Sequence, residues 1–85
     1  DCDEVILWNE RGELTEAVSA NVVLAVDGGL WTPPVSCGLL AGTMREEMLA
    51  HGRIREKILT KEDLRQAAQI YLLNSVRGWR RGEIL

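Results

Sequence analysis

Apolar positions fall along this chain in short runs whose spacing changes part-way through. Glu4 to Trp8 (EVILW) is a compact run of β-forming residues and predicts a buried strand. The polar stretch NERGEL follows, where Gly12 suits a turn. A longer run, Asn21 to Val26 (NVVLAV), meets Asp27-Gly28-Gly29 and returns through Leu30-Trp31-Thr32. An Asp-Gly pair between two apolar runs predicts a β-hairpin. Pro33 and Pro34 end the second strand, and residues 35–41 are expected as loop.

Beyond Gly42 the spacing becomes helical. Thr43 precedes Glu46 by three residues and Thr60 precedes Asp63 by three, so both match the capping-box pattern. The first helix carries Met44, Met48 and Leu49 on one side and ends near His51-Gly52, where glycine suits the position after the last turn. The second carries Leu64, Ala67, Ala68 and Tyr71 at i, i+3, i+4, i+7. Ile54 to Leu59 and Ile70 to Leu73 read as further strands, and Trp79 to Leu85 is expected to pair back across Arg77-Gly78. The sum is an α/β (α+β) layer of several strands with two helices, in one domain spanning residues 1–85.

Composition supports a packed core: 46% of the 85 residues are hydrophobic and 27% charged. With three Trp, one Tyr and no Phe, that core has to be built from Leu, Val, Ile and Ala. A domain this small buries a modest share of its surface and is expected to lean on a partner. The net charge of −3 argues against nucleic acid as the partner, although Arg77, Arg80 and Arg81 cluster around Trp79; a solvated strand end or intersubunit salt bridges is the simpler account of them. Cys2 and Cys37 lack metal-ligand spacing, and His51 is the single histidine, so no metal site is expected. Both cysteines read as reduced thiols of a cytoplasmic protein, and no apolar run reaches membrane-spanning length. The chain opens on DCDEVILW without an initiator Met and reads as a fragment.

The stretch Glu16 to Arg45, EAVSANVVLAVDGGLWTPPVSCGLLAGTMR, resembles the signature of the class IV aminotransferases, the fold-type IV pyridoxal-phosphate enzymes. The elements that carry the resemblance are Glu16, Asn21 five residues later, the hairpin, Thr32-Pro33, Leu40-Ala41-Gly42 and Arg45. TKEDLRQAAQIYLLNSVRG resembles the family's closing segment, so the likeness covers nearly the whole chain. Val18, Val23 and Thr43 depart from the usual pattern, which puts the substrate in question more than the fold. The resemblance implies the C-terminal domain of the D-amino acid aminotransferase-like fold, with pyridoxal 5'-phosphate as cofactor.

It also implies roles. A pyridine ring is a better electron sink when its nitrogen is protonated, and a carboxylate in contact favours that form. The resemblance assigns this task to Glu16; spacing alone would leave it a surface residue beside a turn. Asn21 orients the strand and site, as a structural amide or as a ligand contact. A helix start preceded by glycine offers N–H donors to a phosphate, and Gly42, Thr43 and Met44 match the family's residues there. The alternative use of the same amides is a capping box made by Thr43 and Glu46. Leu40 matches the leucine set against the ring face. Ser75 matches a hydroxyl that contacts the phosphate, although a turn serine satisfying its own backbone would sit in the same place. Arg77 is a candidate for a substrate carboxylate.

The family's reactive lysine, which forms the Schiff base with the cofactor, lies well upstream of the Glu. Neither Lys57 nor Lys61 matches it, and each reads as a solvated side chain, so no catalytic residue is expected in this chain. The expectation is a fragment inactive alone, completed by a missing N-terminal half or a second chain. Asn74-Ser75-Val76-Arg77-Gly78 and CGLLAGTMR are most similar to the aminodeoxychorismate lyase group. That group implies a small-molecule substrate, 4-amino-4-deoxychorismate, converted to 4-aminobenzoate and pyruvate on the way to folate. A branched-chain or D-amino acid aminotransferase is the alternative, and a degenerate, non-catalytic domain kept for assembly is a second. The family's usual state is a homodimer.

Overall fold

A computed structural model describes residues 5–74 and 78–82. Seven strands and two helices follow one another as β1 (Ile6–Trp8), β2 (Leu14–Ala17), β3 (Asn21–Val26), β4 (Gly29–Thr32), α1 (Thr43–Ala50), β5 (Arg55–Glu56), α2 (Lys61–Gln66), β6 (Gln69–Asn74) and β7 (Gly78–Gly82). β1 and β2 form an antiparallel ribbon, and the other five strands form one sheet in the order β5-β4-β3-β6-β7. Within that sheet only the β4–β5 pair is parallel.

The β3–β4 hairpin forms where Asp27-Gly28 predicts it. Val26 pairs with Gly29, leaving Asp27 and Gly28 as a two-residue loop at φ 51° and 77°. Two positive φ values in sequence are the requirement of a type I′ turn, which an Asp-Gly pair meets at low cost. The strand alternation of β3 then divides the core in two. Val22, Leu24 and Val26 pack on one face with Leu14, Ala17, Leu59, Ile70 and Leu72, with Leu64 and Ala67 against them. Val23 points to the other face, where Met48 of α1, Ile54 and Leu73 close a second cluster. The sheet therefore lies between α1 on one side and the ribbon with α2 on the other.

Several expectations are corrected. Glu4 to Trp8 is not a buried strand: within its described part Val5 is 58% exposed and Leu7 38%, because this ribbon has one open face. β2, inside a stretch read as turn and connector, is a strand paired with β1 in a hairpin and tied at long range through the Leu14 N–H to the Leu59 carbonyl at 2.8 Å. Residues 35–41 include a 3₁₀ turn at Val35–Cys37. Of Ile54 to Leu59 only Arg55–Glu56 joins a ladder, since the segment crosses from β4 toward β2. The second helix stops at Gln66: Ala67 has ψ 131°, and the Ala68 N–H bonds to the Ala25 carbonyl. Tyr71 lies on β6 opposite Val23, so its i+7 spacing from Leu64 is a coincidence of pattern.

Candidate functional site

Three segments converge at one end of the sheet. The first is β2 with its turn into β3, where Ala17 and Ala20 form a bridge around Val18-Ser19. The second is the connection from the 3₁₀ turn to α1, residues 38–42. The third is the end of β6, where the Asn74 amide bonds to the Ser19 carbonyl.

Glu16 and Asn21 bind the middle segment from two sides. The Leu40 N–H donates to Glu16 Oε1 at 3.2 Å. Asn21 Nδ2 donates to the Leu40 carbonyl at 2.9 Å, and Asn21 Oδ1 accepts the Gly42 N–H at 3.1 Å. Asn21 is buried at 6% exposure, on the same strand face as Val23 and hence on the α1 side of the sheet. Its amide is thus committed to the loop that launches α1. Gly42 has φ −73° and ψ 158°, values open to any residue, so conformation does not demand glycine here. Space does: a Cβ would stand 2.6 Å from Asn21 Oδ1.

Gly42, not Thr43, occupies the N-cap of α1, and no side chain caps it. The box expected from Thr43 and Glu46 does not form, because Thr43 is already the first helical residue and the Glu46 carboxylate accepts from the Arg45 guanidinium. The box expected at the second helix does form: the Asp63 N–H donates to the Thr60 hydroxyl at 3.3 Å and the Thr60 N–H to Asp63 at 2.9 Å. The first-turn amides of α1 thus keep their positive end of the helix dipole without a side-chain acceptor among the described residues. Leu40, between Glu16 and this helix start, is 81% exposed.

Arg45 is the residue whose role the sequence did not disclose. Its side chain is 1% exposed, donates to the Pro33 carbonyl at 3.0 Å and pairs with Glu56 at 2.6 Å and with Glu46. It ties α1 to the end of β4 and to β5. Its Nε has no partner, an uncompensated buried donor. The signal that could have found it is weak: Glu56 pairs with it only because β5 folds back beside β4.

Of the residues singled out from sequence, the structure brings together Glu16, Asn21, Leu40 and Gly42, with Thr43 and Met44 opening the helix that follows. Ser75 and Arg77 lie outside the described residues. Lys57 and Lys61 lie over the Trp31 ring at 5.3 Å and the Trp8 ring at 5.8 Å. Two surface grooves, one of about 510 Å³ along Leu30, Met44, Met48 and His51 and one of about 660 Å³ beside the β3–β4 turn, include neither Glu16 nor Leu40. The site is an open face. It offers a half-buried carboxylate with one oxygen in use, an exposed leucine, and free helix amides. A flat ligand with a hydrogen-bond donor at one end and an anion at the other complements that series.

Nearby, the Asn9 side-chain amide, then Arg11, hold the Glu13 carboxyl below its ordinary range, and Glu13 in turn accepts from Cys37. Burial, then Glu13, push the Cys37 thiol up, so it remains neutral. Among the described residues no group of three or more His, Cys, Asp and Glu is placed to hold a metal, and no helix is long and apolar enough to cross a membrane.

Comparison with known proteins matches this arrangement to relatives. A protein of Schizosaccharomyces pombe named "Putative aminodeoxychorismate lyase" is 38% identical over 85 residues, covering 96% of this chain and 37% of its own length. A solved structure from Mesorhizobium loti, a "Putative amino-acid aminotransferase", superposes with a TM-score of 0.91 at 42% identity, over 96% of this chain and 40% of that one. The 4-amino-4-deoxychorismate lyase of Pseudomonas aeruginosa superposes at 0.83 with 27% identity, over 94% and 32%. The chain therefore spans well under half the length of these relatives, and its mixed sheet with two helices is the fold-type IV architecture expected from the sequence. The family model described as amino-transferase class IV matches residues 1–83, so by sequence and by fold this chain belongs to the class IV aminotransferase family.

Proposed function

We propose that residues 1–85 are a single domain, the C-terminal, cofactor-binding part of a pyridoxal-phosphate-dependent aminodeoxychorismate lyase that releases 4-aminobenzoate and pyruvate. The observation that carries the reading is the hydrogen-bonded series Glu16–Leu40–Asn21–Gly42, which sets a carboxylate and an uncapped helix start on either side of an exposed leucine. These residues fit the cofactor. Glu16, with one oxygen engaged by Leu40, has its second for the protonated pyridine nitrogen, and a carboxylate there keeps that proton in place. Leu40 would cover one ring face, where its exposure otherwise goes unexplained. The amides of Thr43 and Met44 would take the phosphate, with Ser75 as a further donor, and Arg77 is the candidate for a substrate carboxylate. When bound, the cofactor supplies the electron sink for the charge that develops at the substrate carbon.

The lysine required by such chemistry is expected from outside this chain, since the family's lysine lies upstream of the Glu and Lys57 and Lys61 lie over the Trp31 and Trp8 rings. The 85 residues alone are accordingly expected to be inactive, and the complete enzyme to be a cytoplasmic homodimer. The lyase assignment draws on the Schizosaccharomyces pombe relative and on the likeness of NSVRG and CGLLAGTMR to that group. An aminotransferase is the second reading, favoured by the 42% identity to the Mesorhizobium loti structure.

The test is the absorbance spectrum of the full-length gene product, before and after borohydride, followed by product analysis. A visible band abolished by borohydride, with 4-aminobenzoate released, supports the lyase. The same band with an amino donor turned over to its keto acid and no 4-aminobenzoate supports the aminotransferase. Absence of bound cofactor overturns both and leaves a non-catalytic domain.

A further inference from the structure

Asn21 is the first residue of β3, the central strand, and pairs with Leu73 of β6, so its Cα is fixed at one end of the sheet. From that base its amide grips both sides of one loop, the Leu40 carbonyl at 2.9 Å and the Gly42 N–H at 3.1 Å. On one flank of the loop the Leu40 N–H holds Glu16. On the other, Gly42 begins α1 and its carbonyl accepts the Glu46 N–H. A continuous path of hydrogen bonds thus runs from the Glu16 carboxylate through Leu40 and Asn21 to the first turn of α1. The space that only Gly42 leaves is taken by the Asn21 amide, since among the described residues beyond its chain neighbours the atoms within 4 Å of a Cβ there belong to Asn21.

We infer that Asn21 is a positioning residue that makes the two ends of the cofactor site one cooperative unit: occupation of the phosphate end by way of α1 sets the position of the 40–42 loop, and with it the Glu16 carboxylate, for the pyridine end. The inference rests on the reading of this face as a pyridoxal-phosphate site. Its physical basis is a shared tie. The Asn21 amide holds the loop at two points, so a ligand that draws on the loop at one end acts through Asn21 on the other, and the factor measures that coupling free energy. With the Asn21 amide absent, the loop loses its tie to the sheet, and the two ends respond independently.

The experiment uses the full-length protein freed of cofactor, titrated with pyridoxal and with inorganic phosphate, separately and together. In the wild type, saturating phosphate tightens pyridoxal at least about five-fold, and pyridoxal tightens phosphate by the same factor, as linkage requires. Asn21→Ala brings the factor below about two. Asn21→Asp, which keeps the shape and the acceptor for Gly42 but turns a carboxylate toward the Leu40 carbonyl, lowers it as well and serves if the alanine variant does not fold. A merely structural role would weaken both ligands alike and leave the factor unchanged. A wild-type factor retained in either folded variant overturns the proposal, as does independent binding of the two ligands in the wild type; in both cases the cofactor site itself stands. Failure of the wild type to bind pyridoxal, phosphate or pyridoxal phosphate overturns the site reading and the proposal with it.

Discussion

Replacing Gly42 with alanine should be harmful only while Asn21 is present. The added Cβ would lie 2.6 Å from Asn21 Oδ1, where ordinary contact starts at 3.4 Å. Asn21 cannot move aside by 0.8 Å without giving up its bonds to the Gly42 N–H and the Leu40 carbonyl. Breaking buried hydrogen bonds of this kind costs about 1–3 kcal/mol, and residual crowding adds about 1 kcal/mol. Gly42→Ala is therefore expected to destabilise by roughly 2–4 kcal/mol. In an Asn21→Ala background the obstacle is gone, because among the described residues beyond Gly42's chain neighbours no other atom lies within 4 Å of that Cβ. The backbone angles at Gly42 suit alanine, so there the substitution should be neutral or stabilising by about 0.4–1 kcal/mol through the unfolded chain. The assay is a double-mutant cycle by denaturant unfolding of the full-length protein without cofactor. A coupling energy of about 2–5 kcal/mol is expected, the difference between the two backgrounds. Equal costs of Gly42→Ala in the two backgrounds would refute the steric argument and with it the account of why glycine stands at the head of α1.

Arg45→Met and Arg45→Lys should both destabilise the full-length protein by about 1–3 kcal/mol in denaturant unfolding, because neither can serve Pro33, Glu46 and Glu56 together; the half-exposed glutamates keep the value below that of a fully buried pair. A lysine variant as stable as the wild type would contradict this. Leu40→Ala should change unfolding of the cofactor-free protein by less than about 0.5 kcal/mol, given 81% exposure, while weakening pyridoxal phosphate about ten-fold in a binding titration. A large stability loss with unchanged affinity would remove Leu40 from the site. The Glu13 carboxyl, lowered first by Asn9 and then by Arg11, contributes stability that is present above the ordinary carboxylate value and lost as pH falls through its own lower one. The stability difference between wild type and Glu13→Gln should therefore be flat above about pH 5 and shrink below about pH 4, measured by unfolding from pH 3 to 7. A difference independent of pH would exclude Glu13 as the titrating group.

What the sequence discloses here is mostly local. Asp27-Gly28 encodes its own turn through backbone angles, and Thr60-x-x-Asp63 encodes its own cap, so both are legible from neighbours alone. The same cap pattern at Thr43 misleads because a contact from Asn21, twenty-one residues earlier, seats Gly42 at the N-cap and moves Thr43 into the helix. β2 escapes pattern reading because LTEA is short and its partners lie on β1 and at Leu59. Tyr71 fits a helical spacing and a strand equally well, and the ladder with Val23 decides. The grouping of Glu16, Asn21, Leu40 and Gly42 was legible through family resemblance; the wiring between them was not, since backbone N–H and carbonyl groups leave no trace in residue identity.

The distribution of exposed apolar side chains bears on what this domain is for. Both faces of the five-stranded sheet are closed, by α1 on one side and by α2 with the ribbon on the other. Of the six exposed large apolar residues among those described, four gather instead around Glu16, Val35 and Ile58 being the others. Leu7 pairs directly with it across the ribbon, Val18 follows it by two and donates its N–H to the Val5 carbonyl, and Leu40 donates its own to Glu16. Val5, Leu7, Val18 and Leu40 are exposed at 58%, 38%, 66% and 81%. A carboxylate framed by exposed leucine and valine is an odd surface for water, and a natural one for a ring system with further protein laid over it. Under the proposed function the cofactor meets Leu40 and Glu16, and the parts of the relatives that this chain does not span supply the cover. Under that proposal the described elements close a core among themselves, while the site would be one half of a closed pocket.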